Sequence, residues 1–325
     1  MKRKFRYMTP WEQFKVRKRY RQATVYLISV MSVFLIIALY LLYLSGAYDS
    51  VSKGIYNFLG ISEFSSKADD YPMSVHFIDV GNGDAILVHT DDANIMIDCG
   101  EYTLNGTAAE YLSHFDIDSI DLFIATHNDS DHIGDFSHIS EKYEIGELWT
   151  GKYPPETNNS RTEDENILYR IAGDKNIKIK CPETGRYEVG DMTVDVLSPD
   201  KEYGNDNDNS IVVKISYKEI SILFTGDAGK AAEKNLLEEN AEVAADILKV
   251  SHHGSKTATT EEFLGAVSPK YAVISVGTKN KYLPDKDTVK RLEDSGAEIY
   301  RTDLDGSVIA ASDGKNISIF KENSR

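Results

Sequence analysis

The chain has 325 residues and 41% hydrophobic content, enough to bury the core of one large domain or two smaller ones. Its two cysteines, Cys99 and Cys181, exclude a disulfide framework and leave either one bridge or two separate small buried side chains. The net charge of -16 is uneven: the first 23 residues carry nine Lys or Arg against Glu12 alone, a balance of +8, so the remainder carries -24 and opposes broad electrostatic attraction to nucleic acid.

Residues 24–44 (TVYLISVMSVFLIIALYLLYL) contain no charged side chain. At ~1.5 Å per residue they match a bilayer core of ~30 Å, which predicts a transmembrane helix. The basic block before it faces only Lys53 and Lys67 in the next 25 residues, so the amino terminus is expected inside and the rest outside the cell. A cleavable signal peptide is the competing reading, because Ser45-Gly46-Ala47 has the small residues of a cleavage site. The apolar run is longer than the ~7–15 residues of such peptides, which favours an uncleaved anchor. The expected organisation is therefore a basic cytoplasmic tail (1–23), a single span (24–44), a linker with a short helix near 55–59 (45–71) and one folded domain (72–325).

From Met73 onward, short β-branched runs at 75–78, 85–88 and 94–97, separated by Gly, Asn and Asp, predict antiparallel strands. A helix at 107–115 and a strand at 120–125 follow. Residues 153–166 (YPPETNNSRTEDEN) predict a surface loop. The second half predicts strands at 193–197, 210–216 and 221–224, a helix at 230–239, then strands at 247–250 and 271–276. A helix at 288–295 and strands at 299–300, 308–310 and 317–319 complete the chain. Strands and helices alternating in both halves suit an α/β fold of sheets covered by helices.

The strand at 120–125 runs into Thr126-His127-Asn128-Asp129-Ser130-Asp131-His132-Ile133-Gly134, which places two imidazoles and two carboxylates within six residues. These are ligand types for zinc or manganese, and a loop leaving a rigid strand can hold them together. Four more strand ends carry Asp or His: Asp79 to Asp84, Asp98, Asp227, and the pair His252-His253. Four of the eight histidines fall in two of these segments, which points to a dinuclear metal site. Asp227, alone between the two histidine-bearing segments, suits the bridging position. The two cysteines have no second Cys at a metal-type spacing.

The ordered set Phe-Ile-Asp-Val-Gly-Asn-Gly-Asp-Ala, Ile-Asp-Cys-Gly, Thr-His-x-Asp-x-Asp-His-Ile-Gly, Phe-Thr-Gly-Asp and Leu-Lys-Val-x-His-His-Gly-Ser-Lys-Thr resembles the metallo-β-lactamase-fold domain of ComEC-type competence proteins over roughly residues 73–320. The resemblance implies an αββα sandwich with two divalent ions, zinc or manganese, at one edge. It implies that His127, Asp129, Asp131 and His132 belong to the metal centre, that Asp227 bridges, and that one of His252 and His253 completes it. His253 is taken as the ligand and His252 as a catalytic contact to substrate, with Asp131 orienting or deprotonating water. Lys256 and Asp84 are expected at the substrate. Two positions depart from common patterns. Asp129 stands where many metallo-β-lactamase-fold hydrolases have His, although ComEC-like domains are similar to this chain in carrying Asp, and it favours harder ions such as manganese; Leu283 stands where the family commonly has the His of Asn-x-Tyr-Gly-His-Pro. In Asn205 to Ser210, where other members offer a histidine, Asn209 or Ser210 faces the site or the segment is a bare turn.

These features predict a membrane-anchored, metal-dependent phosphodiesterase acting outside the cell, with DNA as substrate by resemblance to the ComEC-like domain. The alternatives are an envelope or phosphorylcholine-type esterase, to which the His-His-Gly segment is also similar, and a surface module that has lost turnover, motivated by Leu283.

Overall fold

The computed structural model describes residue 64 and residues 67–103, 106–115, 117–151 and 163–323. The basic tail, the span at 24–44 and the short helix near 55–59 lie outside the described residues. No helix among the described residues is long and apolar enough to cross a membrane.

Strands β1 (Met73–Phe77), β2 (Ala85–Thr90) and β3 (Asn94–Cys99) pair antiparallel in chain order, as their short β-branched runs predict. Helix α1 (Thr107–Leu112) leads to β4 (Ser119–Ile124), which lies parallel to β3. Short helices α2 (Ser130–Ile133) and α3 (Phe136–Lys142) precede β5 (Glu144–Trp149); α4 (Glu163–Asp174) precedes β6 (Lys178–Lys180). The second sheet starts as an antiparallel meander of β7 (Gly185–Val189), β8 (Met192–Ser198), β9 (Val212–Tyr217) and β10 (Ile220–Phe224). It continues through α5 (Lys230–Glu238), β11 (Ile247–Lys249), α6 (Glu261–Val267), β12 (Tyr271–Ile274), α7 (Lys286–Asp294) and β13 (Glu298–Arg301), with β11 to β13 parallel. After α8 (Thr302–Asp305), β14 (Val308–Ser312) and β15 (Ile317–Lys321) return to the first sheet beside β1. The sheets run β15, β14, β1, β2, β3, β4, β5, β6 and β13, β12, β11, β10, β9, β8, β7.

The strand period of two sorts these apolar residues between faces. Phe77, Ile86, Ile95, Ile97 and Ile124 of the first sheet meet Val194, Val213, Ile215, Ile222 and Phe224 of the second in one buried cluster. The opposite face of the first sheet, with Leu87, Met96 and Phe123, packs on Leu112, Ile139 and Leu168 of the helices. Leu223, Leu248 and Ile274 of the second sheet pack on Leu236, Phe263 and Leu292. The layers are therefore helix, sheet, sheet, helix.

Besides α2, α3, β6, β7, α6 and α8, which the sequence-based reading did not place, three features differ from expectation. Residues 163–166, placed in the polar loop, form the first turn of α4, whose leading Glu163, Asp164 and Glu165 favour a helix start. The loop's residues 152–162 lie outside the described residues. Strand β5 went unpredicted because Gly146 interrupts its apolar run. A Cβ there would meet the Asp121 backbone oxygen of β4 at 2.8 Å, so the glycine permits close strand approach. Finally, Ala68 and Tyr71 of the expected linker rest on the domain: Ala68 packs with Ile309 and Ala311, and the Tyr71 hydroxyl donates to Ser318 Oγ at 2.9 Å.

Candidate metal centre

Strand ends from both sheets deliver the polar side chains. Asp98, the penultimate residue of β3, has a left-handed conformation (φ 56°), and its carboxylate meets the loop after β4. There it accepts from the Thr126 backbone N–H at 2.8 Å, the Thr126 hydroxyl at 2.7 Å and His132 Nδ1 at 2.7 Å. From the second sheet, Gly226 (φ 49°) turns the chain so that Asp227 follows β10 into the site, and Ser210 Oγ accepts from the Asp227 N–H at 3.1 Å. Beyond β11, His252 and His253 both sit at φ 50°, strained values for side-chain-bearing residues. Bonds from His252 N to Gly226 O (3.1 Å) and from Ser255 N to His252 O (2.8 Å) hold this turn.

Three imidazoles are set in one tautomer by what lies behind them. His132 Nδ1 donates to Asp98 and His253 Nδ1 donates to the Ser275 carbonyl at 3.0 Å. The Thr126 hydroxyl gives its proton to Asp98 and so accepts from His127 Nδ1 at 3.1 Å. In the neutral rings all three Nε2 atoms are thereby left with lone pairs facing inward. His132 Nε2 lies 3.4 Å and His253 Nε2 3.6 Å from Asp227 Oδ1, while His127 Nε2 is 4.0 Å from Asp227 Oδ2. His253 Nε2 is also 3.4 Å from Asp131 Oδ2, and His127 Nε2 is 3.5 Å from Asp129 Oδ2.

The four inner atoms, the three Nε2 atoms and Asp227 Oδ1, are buried and have no hydrogen-bond partner among the described residues. An orphaned buried polar atom costs ~1–3 kcal/mol, so four converging ones are the mark of a cation-binding cradle. Among the described residues, four triads have ligand atoms within 4.8 Å of one another: His127, His132 and Asp227; Asp131, His132 and His253; and two that include the buried Asp84, with Asp98 and His132 and with Asp227 and His253. The residues fit divalent ions: His132 is common to the first two triads, and Asp227 Oδ1 also lies near the Nε2 atom of His253 in the second.

The electrostatics agree. Burial favours a neutral Asp227, yet His253, His132 and His127 hold its carboxyl well below the usual range. Burial likewise pulls His132 down, but Asp227 and Asp98 raise it well above an ordinary imidazole; His253 is raised against burial by Asp227 and Asp131. For Asp131, burial raises and the close imidazoles of His253 and His132 lower, leaving about 2. The close approach of His127 leads in lowering Asp129. The carboxylates are thus held ionised, the form in which they ligate.

Other singled-out residues fall elsewhere. His252 is half-exposed at the mouth; its Nδ1 accepts from Asn207 Nδ2 at 3.4 Å, which leaves an N–H at Nε2, 3.6 Å from Asp227 Oδ2. Lys256 is exposed on the turn after the histidine pair. Asp84 corrects the expectation of a substrate contact: it is 1% exposed and ion-paired to Lys249 at 2.6 Å, because the β1–β2 loop folds beneath the site. Of the 205–210 segment, Asn209 bonds within its own loop to Tyr203, and Ser210 reaches the site through Asp227. Leu283 packs against the outer apolar cluster of the second sheet. Asp98, Ser275 and Lys249 had been given no role; only Asp98, a strand-end carboxylate, carried a sequence signal.

A two-sheet sandwich with a His/Asp cradle at its strand ends is matched by the model of the metallo-beta-lactamase superfamily over residues 78–278. The chain belongs to this superfamily. Its members are usually metal-dependent hydrolases. Curated relatives are ComEC-type competence proteins. The chain is 29% identical to ComE operon protein 3 of Bacillus subtilis over 256 residues, covering 72% of this chain and 32% of the relative. It is 30% identical to Recombination protein 2 of Haemophilus influenzae over 241 residues, covering 72% and 28%. The chain therefore spans about a third of the length of the relatives it matches. Among solved structures, a mutant of the CmlA β-hydroxylase superposes with a TM-score of 0.53 at 13% identity, covering 74% of this chain and 54% of that one, a likeness of fold alone.

Proposed function

We propose that the chain is a membrane-anchored, metal-dependent phosphodiesterase whose domain acts outside the cell, on DNA as its similarity to competence proteins suggests. The observation that carries the hydrolase reading is the convergence of four unpartnered buried ligand atoms between the sheets. His127, His132, Asp227 and His253, with Asp129 and Asp131 at the open side, would hold two divalent ions of zinc or manganese. Such ions supply Lewis acidity and an activated water. Asp131, one-third exposed and ionised, faces the opening and accepts the proton of the attacking water. His252 presents its Nε2–H at the mouth and donates to a phosphoryl oxygen. Lys256, exposed nearby in sequence, adds a cation for phosphate. The apolar run at 24–44 and the basic tail support anchoring with the domain outside.

A second reading, an envelope phosphodiester or phosphorylcholine-type substrate, is favoured by one observation: the -24 charge of the chain beyond residue 23 repels a polyanion. The full chain, supplied with manganese or zinc, is tested on single-stranded DNA and on a chromogenic phosphodiester. DNA cleavage lost in Asp131→Ala supports the nuclease; cleavage of the small ester without DNA removes it; no cleavage of either by the metal-loaded chain favours a surface module without turnover.

A further inference from the structure

Lys249 ends β11 at 0% exposure, in an apolar run where an ammonium is tolerated only with a partner. Its Nζ lies 2.6 Å from Asp84 Oδ2 and donates to the Val250 carbonyl at 3.0 Å. Asp84 starts just before β2 of the other sheet, so the pair pins the two sheets together below the metal centre. Its position there is specific. Asp84 Oδ1 is 3.6 Å from His253 Nδ1 and Oδ2 is 4.0 Å from His132 Nδ1, so the carboxylate lies on the Nδ1 sides of two rings whose Nε2 atoms face Asp227. The Asp84 N–H also donates to the Asp131 carbonyl at 3.2 Å, tying the same residue to the loop that carries two candidate ligands.

We propose that Asp84 and Lys249 form a positioning pair for the metal centre, setting the charge behind His132 and His253 and keeping both rings aimed at the ions. This rests on the metal-centre reading above. Both Nδ1–H groups are already committed, to Asp98 and to the Ser275 carbonyl. An Asp84 carboxylate without Lys249 competes for those protons and turns the rings away. A Lys249 ammonium without Asp84 leaves an uncompensated cation behind two ligands. Charge also balances with the pair in place. Asp84, Asp98, Asp129, Asp131 and Asp227 together with Lys249 leave four negative charges when the imidazoles are neutral, matching two divalent ions.

The test is manganese binding by the full chain at equilibrium, with bound metal measured by elemental analysis at stepped free manganese. Asp84→Asn, unchanged in size, and Lys249→Met are each expected to weaken binding by about 10-fold or more, the scale of outer-sphere effects. The double variant D84N/K249M, which removes both charges, is expected to bind within about threefold of the unaltered chain. A pair that only stabilises the fold would lower thermal stability in the single variants without moving manganese affinity, and that result overturns the proposal. Weak binding by the double variant overturns it too, because the residues then act separately. Should Lys249→Met not fold, Asp84→Asn and the double variant give the same two comparisons. An unaltered chain that binds neither manganese nor zinc removes the metal reading and this inference with it. Two ions bound equally by all variants removes this inference alone.

Discussion

At the residue scale, what matters is which atom of each imidazole is free. Asp98 accepts from Thr126 twice and from His132 once, so a single buried carboxylate sets the rotamer of one candidate ligand and, through the Thr126 hydroxyl, the tautomer of another. Asp98→Ala is expected to lower manganese affinity about 10–100-fold while the domain stays folded, checked by equilibrium dialysis beside circular dichroism. A fourth buried histidine serves the fold. His76 on β1 bonds Ser74 Oγ at 2.8 Å and Tyr111 at 3.1 Å and meets the Phe115 ring edge-on at 4.5 Å. Burial, aided by His89, lowers it from 6.5 to about 3. The unfolded chain therefore takes up a proton between those values that the folded chain refuses. The stability is complete above pH 6.5 and is lost as pH falls toward 3, about 2 kcal/mol of it by about pH 5. Thermal unfolding at neutral pH and near pH 5 should show a larger acid loss for the native chain than for His76→Gln; equal losses would remove this account.

At the element scale, the site depends on how closely loops approach. Gly83 (φ 111°) precedes Asp84, and a Cβ there would overlap the Asp131 carbonyl. Gly83→Ala is expected to cost about 1–3 kcal/mol through backbone strain and overlap, and to weaken metal binding because the displaced neighbour is Asp131. Melting temperature and manganese affinity should fall together. Elements with a clear period were legible in the sequence: β1 to β4, β8 to β10 and α5 come where alternation or helical spacing predicts them. β5 was not, because Gly146 is chosen for contact with β4, a tertiary reason that leaves no local signature. α4 was masked by its acidic first turn, which reads as loop until Leu168 and Ala172 are seen against the first sheet.

At the scale of the whole molecule, the sandwich brings together residues more than a hundred positions apart. The run from Thr126 to His132 was readable because its residue types are costly to place without a ligand, and Asp227 and the histidine pair stood out as polar strand ends. The proposed anchor predicts that protease added to intact cells removes the 72–325 domain while the basic tail stays protected, read by an epitope at each end; a protected domain would reverse the proposed topology. The sequence by itself determined the strand and helix order over most of the domain, the ligand types and the basic charge of the first 23 residues, because these follow from local period and composition. Only the tertiary structure decided that Asp84 lies beneath the centre, that Lys249 is its buried partner, and that His132 and His253 turn their Nε2 atoms inward. Those facts depend on which carbonyls and carboxylates stand behind each ring, and that is set when two sheets close on one another.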